Sequence, residues 1–140
     1  MKMLLKLSSV LFAVVVMAGC GGFIKGKPAA ERAITKFHES YNQGRLEEIW
    51  NGADPQFRTA SSKQKYDEFM QAVRRKLGKV TSTSNSGWNL KTFNFKTTVY
   101  MAQQTVFEKG QGTESFTFAL DGTNAVLVGY NIQSMDLIIK

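Results

Sequence analysis

Few side chains in this sequence are of types that do chemistry. Its 140 residues hold one histidine, His38, and one cysteine, Cys20. His38 lies beside Ile34 and Tyr41 at helical spacing, on the apolar side of the segment. A histidine so placed could act as a general base if a partner oriented its ring and a donor stabilised the developing oxyanion. Tyr41 and Tyr130 could be that donor, and no carboxylate stands at an obvious orienting spacing. The other role is a helix-edge histidine whose ring packs and whose nitrogens meet water or backbone, and the sequence favours that role. Asp121, Asp136 and Glu114 are isolated and offer no metal cage. A single Cys and a single His exclude zinc-finger and iron–sulfur ligand sets. No Gly-rich nucleotide fingerprint or Gly-x-Ser-x-Gly elbow is present. The sequence therefore assigns no catalytic residue, no cofactor and no metal.

Cys20 has a different context. Lys2 and Lys6 open the chain with positive charge, Leu7 to Val16 is apolar, and Met17-Ala18-Gly19-Cys20 follows. Charged, then apolar, then small residues is the layout of a secretory signal. The apolar stretch is far shorter than the ~20 residues of a membrane span. A thiol is a good nucleophile once deprotonated, so Cys20 can take a lipid by thioether formation.

In these residues the chain resembles bacterial lipoproteins, whose lipobox ends in small-small-Cys, here Ala18-Gly19-Cys20. The first lipobox position, usually Leu, is Met17. The resemblance implies a diacylglyceryl group on Cys20, cleavage of residues 1–19 and an acylated new N-terminus. Gly21, where an Asp would favour inner-membrane retention, implies an outer-membrane address facing the periplasm if the source has an outer membrane. Residues 20–27 then read as the lipidated Cys and a flexible glycine tether. Lys25 and Lys27 in that tether read as solvated charges.

Four other features invite a binding role. Arg74-Arg75-Lys76, followed by Lys79, could hold phosphates of an anionic envelope component. These cations also complement the dipole of a helix C-terminus, and a solvated face is the expected role. Trp50 continues a helical stripe with Leu46 and reads as core. Trp88 follows Ser84-Asn85-Ser86-Gly87, where a strand is weak or bulged. Leu137-Ile138-Ile139 is apolar for a tail and reads as a strand extension or a docked end.

The elements that must position these residues fall into two halves. Pro28 opens a first helix bearing Ala30, Ile34, Phe37, His38 and Tyr41, stopped by Gly44. A short second helix carries Leu46, Ile49 and Trp50. Ser61 with Gln64 fits a capping box for a third, with the stripe Tyr66, Phe69, Met70, Val73, Leu77 and a stop at Gly78. From Val80 the composition turns to Thr, Val, Phe and Tyr. The expected strands are Val80–Leu90, Phe95–Phe107, Thr113–Leu120 and Asn124–Ser134, with turns at Gly110–Gly112 and Asp121-Gly122. Phe116, Phe118 and Leu120 alternate, as do Val126, Val128, Tyr130 and Ile132, predicting one buried face. The expected fold class is α+β: two to three N-terminal helices packed on a four-stranded antiparallel meander sheet, as one domain over residues 28–140.

The runs Thr105 to Gly110, Glu114 to Thr117, Asp121-Gly122 and Val128 to Ile132 are similar to small bacterial secreted domains of unknown function with a phenylalanine-rich hairpin. Phe37 to Gly44 upstream also matches in kind. These domains resemble reduced members of the cystatin-like, nuclear-transport-factor-two-like cone fold, which implies a sheet curled around a helix, often with a pocket. Fuller members carry a hairpin between the second and third helices, for which Gly52–Ala60 is too short.

The expected function is a lipid-anchored cell-envelope protein acting as a non-enzymatic binding or accessory module at the membrane surface. The alternative is a cone-fold enzyme or small-ligand carrier with a pocket near His38. The expected partners are the membrane, through the lipid, and an envelope protein or anionic envelope component, but no nucleic acid.

Overall fold

A computed structural model describes residues 21–139. Residues 1–20, over which the signal and the lipidated Cys20 are expected, lie outside the described residues. Helices α1 (Gly21–Asn42), α2 (Leu46–Gly52), α3 (Pro55–Ala60) and α4 (Lys63–Leu77) precede strands β1 (Val80–Phe93), β2 (Lys96–Phe107), β3 (Gly110–Asp121) and β4 (Asn124–Gln133), and α5 (Met135–Ile139) ends the chain. The strands form one antiparallel sheet in the order β1-β2-β3-β4. This is an α+β fold, with helices N-terminal to a four-stranded antiparallel sheet.

The inward face of the sheet is set by period-two alternation. Val99, Met101, Gln103, Thr105 and Phe107 of β2 are buried, as are Glu114, Phe116 and Phe118 of β3. Helix α1 packs against all four strands, burying Ala30, Ile34, Phe37, His38 and Tyr41. Tyr66, Met70, Val73 and Leu77 of α4 complete the core.

Several expectations are corrected. Residues 21–27, read as a flexible tether, are helical. The backbone of α1 comes close to the sheet at Gly26, where a Cβ would lie 2.8 Å from Leu90 Cδ1. Packing of this kind outweighs the weak helix propensity of glycine. The cap of α4 is Ser62, whose hydroxyl accepts from Lys65 N at 3.2 Å; Ser61 instead ends α3. Asp54 caps α3, with Pro55 as its first residue, so the segment too short for a hairpin makes a short helix. Phe69 is 42% exposed. The α4 stripe is narrower than the apolar pattern, because Tyr66, Met70, Val73 and Leu77 alone fill the contact.

The turn expected at Gly110–Gly112 lies at Glu108-Lys109. Glu108 N bonds Lys79 O and Lys109 N bonds Leu77 O, both at 2.9 Å, so the turn docks on the end of α4. In β4 the register passes from Thr117↔Gly129 to Phe118↔Leu127. Val128 is the extra residue of a bulge. Leu127, not Val126 or Val128, is therefore the inward residue opposite Phe118, and it is buried. The tail forms α5: Leu137 packs on the core while Ile138 and Ile139 are exposed.

Candidate functional site

The polar centre of the molecule lies inside the core. Glu114 is 1% exposed and His38 is 7% exposed, and His38 Nε2 stands 2.8 Å from Glu114 Oε1. Thr105 Oγ1 donates to the same carboxylate oxygen at 2.6 Å, and the Tyr130 hydroxyl donates to Oε2 at 2.6 Å. A carboxylate only accepts, so the His38 nitrogen facing it carries a proton when Glu114 is ionised. Burial pushes the Glu114 carboxyl up, but the hydrogen bond and charge of His38, with the hydroxyls of Thr105 and Tyr130, outweigh it and hold the group below its ordinary value. Burial and the adjacent carboxylate push the Tyr130 phenol up.

These groups arrive from both halves of the chain. His38 lies on the inner stripe of α1. Glu114 shares the inward face of β3 with Phe116 and Phe118, and Gln103 is its partner on β2. The rings of Phe37, Phe116 and Tyr130 lie 4.8–5.1 Å apart between centroids, and the His38 ring meets Phe116 edge-on at 5.9 Å. A hydrogen-bonded chain continues outward: Thr83 Oγ1 and Thr105 Oγ1 are 2.9 Å apart, Gln103 Nε2 donates to Thr83, and Asn85 Nδ2 donates to Gln103. Among the described residues no buried side-chain polar atom lacks a partner.

Glu114, expected to be isolated, is the carboxylate that faces His38, which corrects both that expectation and the expected lack of an orienting acid. Tyr130 joins the cluster. Tyr41 does not, since its hydroxyl donates to Gly78 O at 2.8 Å and ties α1 to the end of α4. The signal for Glu114 was present: extending the Phe118–Phe116 alternation back by two residues puts an acid on the buried face, which requires a partner. Among the described residues no group of His, Cys, Asp and Glu could hold a metal ion.

Within the cluster, the His38–Glu114 pair is closed to ligands in this geometry. Both carboxylate oxygens are engaged, and neither His38 nor Glu114 lines either of the two principal surface cavities. The larger cavity, about 770 Å³, is a groove between α1, α2 and β4. Its floor includes Ala33, Phe37, Ile49 and Leu127, with Arg32 and Lys36 on its α1 side and Glu48 on its α2 side. Arg32 Nη2 also donates to Thr123 O at 3.1 Å. The smaller, about 230 Å³, is aromatic, with Trp50, Phe57, Tyr66, Phe69 and Tyr130 among its lining.

The remaining candidates are dispersed. Arg74, expected in water, stacks over the Tyr41 ring at 5.8 Å, and Lys76 Nζ donates to Leu137 O at 2.6 Å. Arg75 and Lys79 are exposed. The basic run is thus divided between structural contacts and solvent. Trp50 packs on Tyr66, with centroids 5.0 Å apart. Trp88 is half-buried against the core, just past a bulge between Asn85 and Gly87. Asp136 accepts from Gln111 N at 3.1 Å and fastens α5 to β3. Lys25 is exposed and Lys27 pairs with Glu31. No helix of the described residues is long and apolar enough to cross a membrane.

None of the curated proteins matches the sequence. A solved chain of Bdellovibrio bacteriovorus Bd1075 is similar at 11% identity and a TM-score of 0.50, over 78% of this chain and 40% of that one. This chain therefore spans about two-fifths of that protein's length, and at such identity the likeness concerns the fold alone. A family model described as "Protein of unknown function (DUF4019)" matches residues 33–130, a span that holds His38, Thr105, Glu114 and Tyr130. The chain belongs to that family, DUF4019.

Proposed function

We propose that this is a lipid-anchored envelope protein, held by Cys20 in the outer membrane facing the periplasm where the source has one, and that its domain is a non-catalytic binding module. The observation that carries the binding reading is the contrast between two places. The His38–Glu114 pair has the residue types of an acid–base site, but its oxygens are taken and its ring is buried. The groove between α1, α2 and β4 is open, apolar on its floor and cationic on one side. Such a surface suits a ligand with an apolar body and an anionic group, such as an anionic envelope component. Helix α1 packed across the whole sheet supports the resemblance to the reduced cone fold.

The test is to isolate the full-length protein from its envelope and weigh it by native mass spectrometry. Wild type is compared with Ala33→Trp, which fills the groove, and Lys36→Glu, which reverses its charge. The proposal expects a co-purifying species that both variants lose while their melting temperatures stay near wild type. Retention of the same species by both would contradict it.

A further inference from the structure

The β1–β2 hairpin runs past the rest of the sheet. Strand β2 gains β3 as a neighbour only from Thr98 onward. The pairs Thr92↔Thr97 and Phe93↔Lys96 therefore form a two-stranded ribbon projecting beyond it. At its tip Asn94 and Phe95 both have positive φ, 47° and 61°. Asn tolerates this region, but it is unfavourable for a bulky side chain, and Gly is the usual choice at the second position of such a turn. Phe95 is nonetheless fully exposed, and Phe93 is 73% exposed. Two phenylalanines thus stand in water at a strained tip.

Their surroundings indicate what covers them. Lys96 is the cross-strand partner of Phe93, and Lys91, two residues back in β1, shares its face by alternation. Lys91 lies about 7 Å behind Phe93 along the strand, which suits an ammonium at lipid phosphates with the ring among acyl chains. The hairpin also lies at a particular end of the domain. Helix α1 meets the sheet at Gly26 beside Leu90 and at Asn42, whose side chain bonds Val80 N and O. It therefore runs opposite to β1, with its N-terminus toward the tip. From the Gly26–Leu90 contact, α1 extends about 7 Å back to Gly21, and β1 extends about 10 Å on to Phe93. The residue before Gly21 is Cys20.

We infer that the Phe93–Phe95 tip is a second membrane contact, entering the lipid surface beside the acylated N-terminus and holding the domain in one orientation. This rests on the anchor reading for the direction in which the domain faces. With two contact points at one end, the opposite end, carrying the Glu108-Lys109 turn and α5, is held away from the bilayer.

The test uses the full chain, purified from its membrane and reconstituted in phosphatidylethanolamine–phosphatidylglycerol vesicles. The photo-crosslinking analogue p-benzoylphenylalanine is placed at Phe95 or, as a control, at Val106, which is exposed near the opposite end of β2. After illumination, mass spectrometry of the tip peptide should show lipid adducts at position 95 and none at 106. The position-95 yield should fall with Lys91→Glu plus Lys96→Glu. An acylated Cys20 with no lipid adduct at 95 overturns the tip contact and leaves the anchor standing. An unmodified Cys20 with adducts at 95 rejects the anchor and keeps the tip contact. A protein–protein adduct at 95 in place of the lipid adduct assigns the tip to a second copy and also overturns the inference.

Discussion

His38 Nε2 and Glu114 Oε1 are 2.8 Å apart although 76 positions separate them in sequence. The contact joins α1 to β3 across the core and fixes how the helix sits on the sheet. Removing His38 takes one of three donors from the buried Glu114 carboxylate, at a cost of about 1.5–3 kcal/mol, the range for a hydrogen bond to a charged group. His38→Ala should lose that much in urea unfolding of the full protein. Glu114→Gln, which keeps an acceptor for Thr105 and Tyr130 without the charge, should lose less. A loss under about 1 kcal/mol for His38→Ala, the range of exposed pairs, would show that the pair contributes little to stability.

The same carboxyl makes stability depend on pH. Its pKa in the folded protein lies below its ordinary value, so the unfolded chain takes up its proton first as pH falls. The stabilisation it supplies is complete above the unfolded pKa of about 4.3 and is lost as pH drops through the lower folded value. Thermal melts from about pH 6 down to about pH 3 should therefore fall more steeply for wild type than for Glu114→Gln. Parallel curves for the two proteins would contradict this assignment.

The core is tested by two phenylalanines. Phe116 is fully buried and Phe69 is 42% exposed. Phe116→Ala should cost about 3–5 kcal/mol through lost burial and the cavity left behind. Phe69→Ala should cost about 1 kcal/mol or less, as surface substitutions do. Equal losses would mean that α4 is rotated on the sheet relative to the structure described above.

Apolar periodicity locates α1, α2 and α4 and alternation locates β3 and β4, while β1 and β2 are legible from the shift to Thr, Val, Phe and Tyr after Val80. These signals fail where tertiary contacts override local pattern. Glycines at residues 21, 22 and 26 read as a tether, but α1 continues through them and packs at Gly26. The alternation of Val126 and Val128 is offset by the bulge at Val128, whose position is set by pairing with β3 and not by β4 itself. Phe69 fitted a helical stripe wider than the surface available to cover it. Of the site, His38 and Tyr130 are legible in the sequence as candidates and Glu114 is not. Its partner lies on an element far away in sequence, and only the inward alternation of β3 pointed to it. The exposed hairpin tip was missed because Phe95 read as the start of a strand.

The proposal that Cys20 anchors the domain to a membrane is tested by the N-terminal peptide of the protein isolated from its envelope. Acyl chains contribute ~0.8 kcal/mol per buried methylene, and two or more chains give stable anchoring. The predicted mass is that of a chain beginning at Cys20 with a diacylglyceryl thioether, and Cys20→Ser should leave the membrane fraction or persist as the uncleaved precursor. A mature chain with an unmodified Cys20 thiol, or a Cys20→Ser protein that remains membrane-bound at mature size, would contradict the claim.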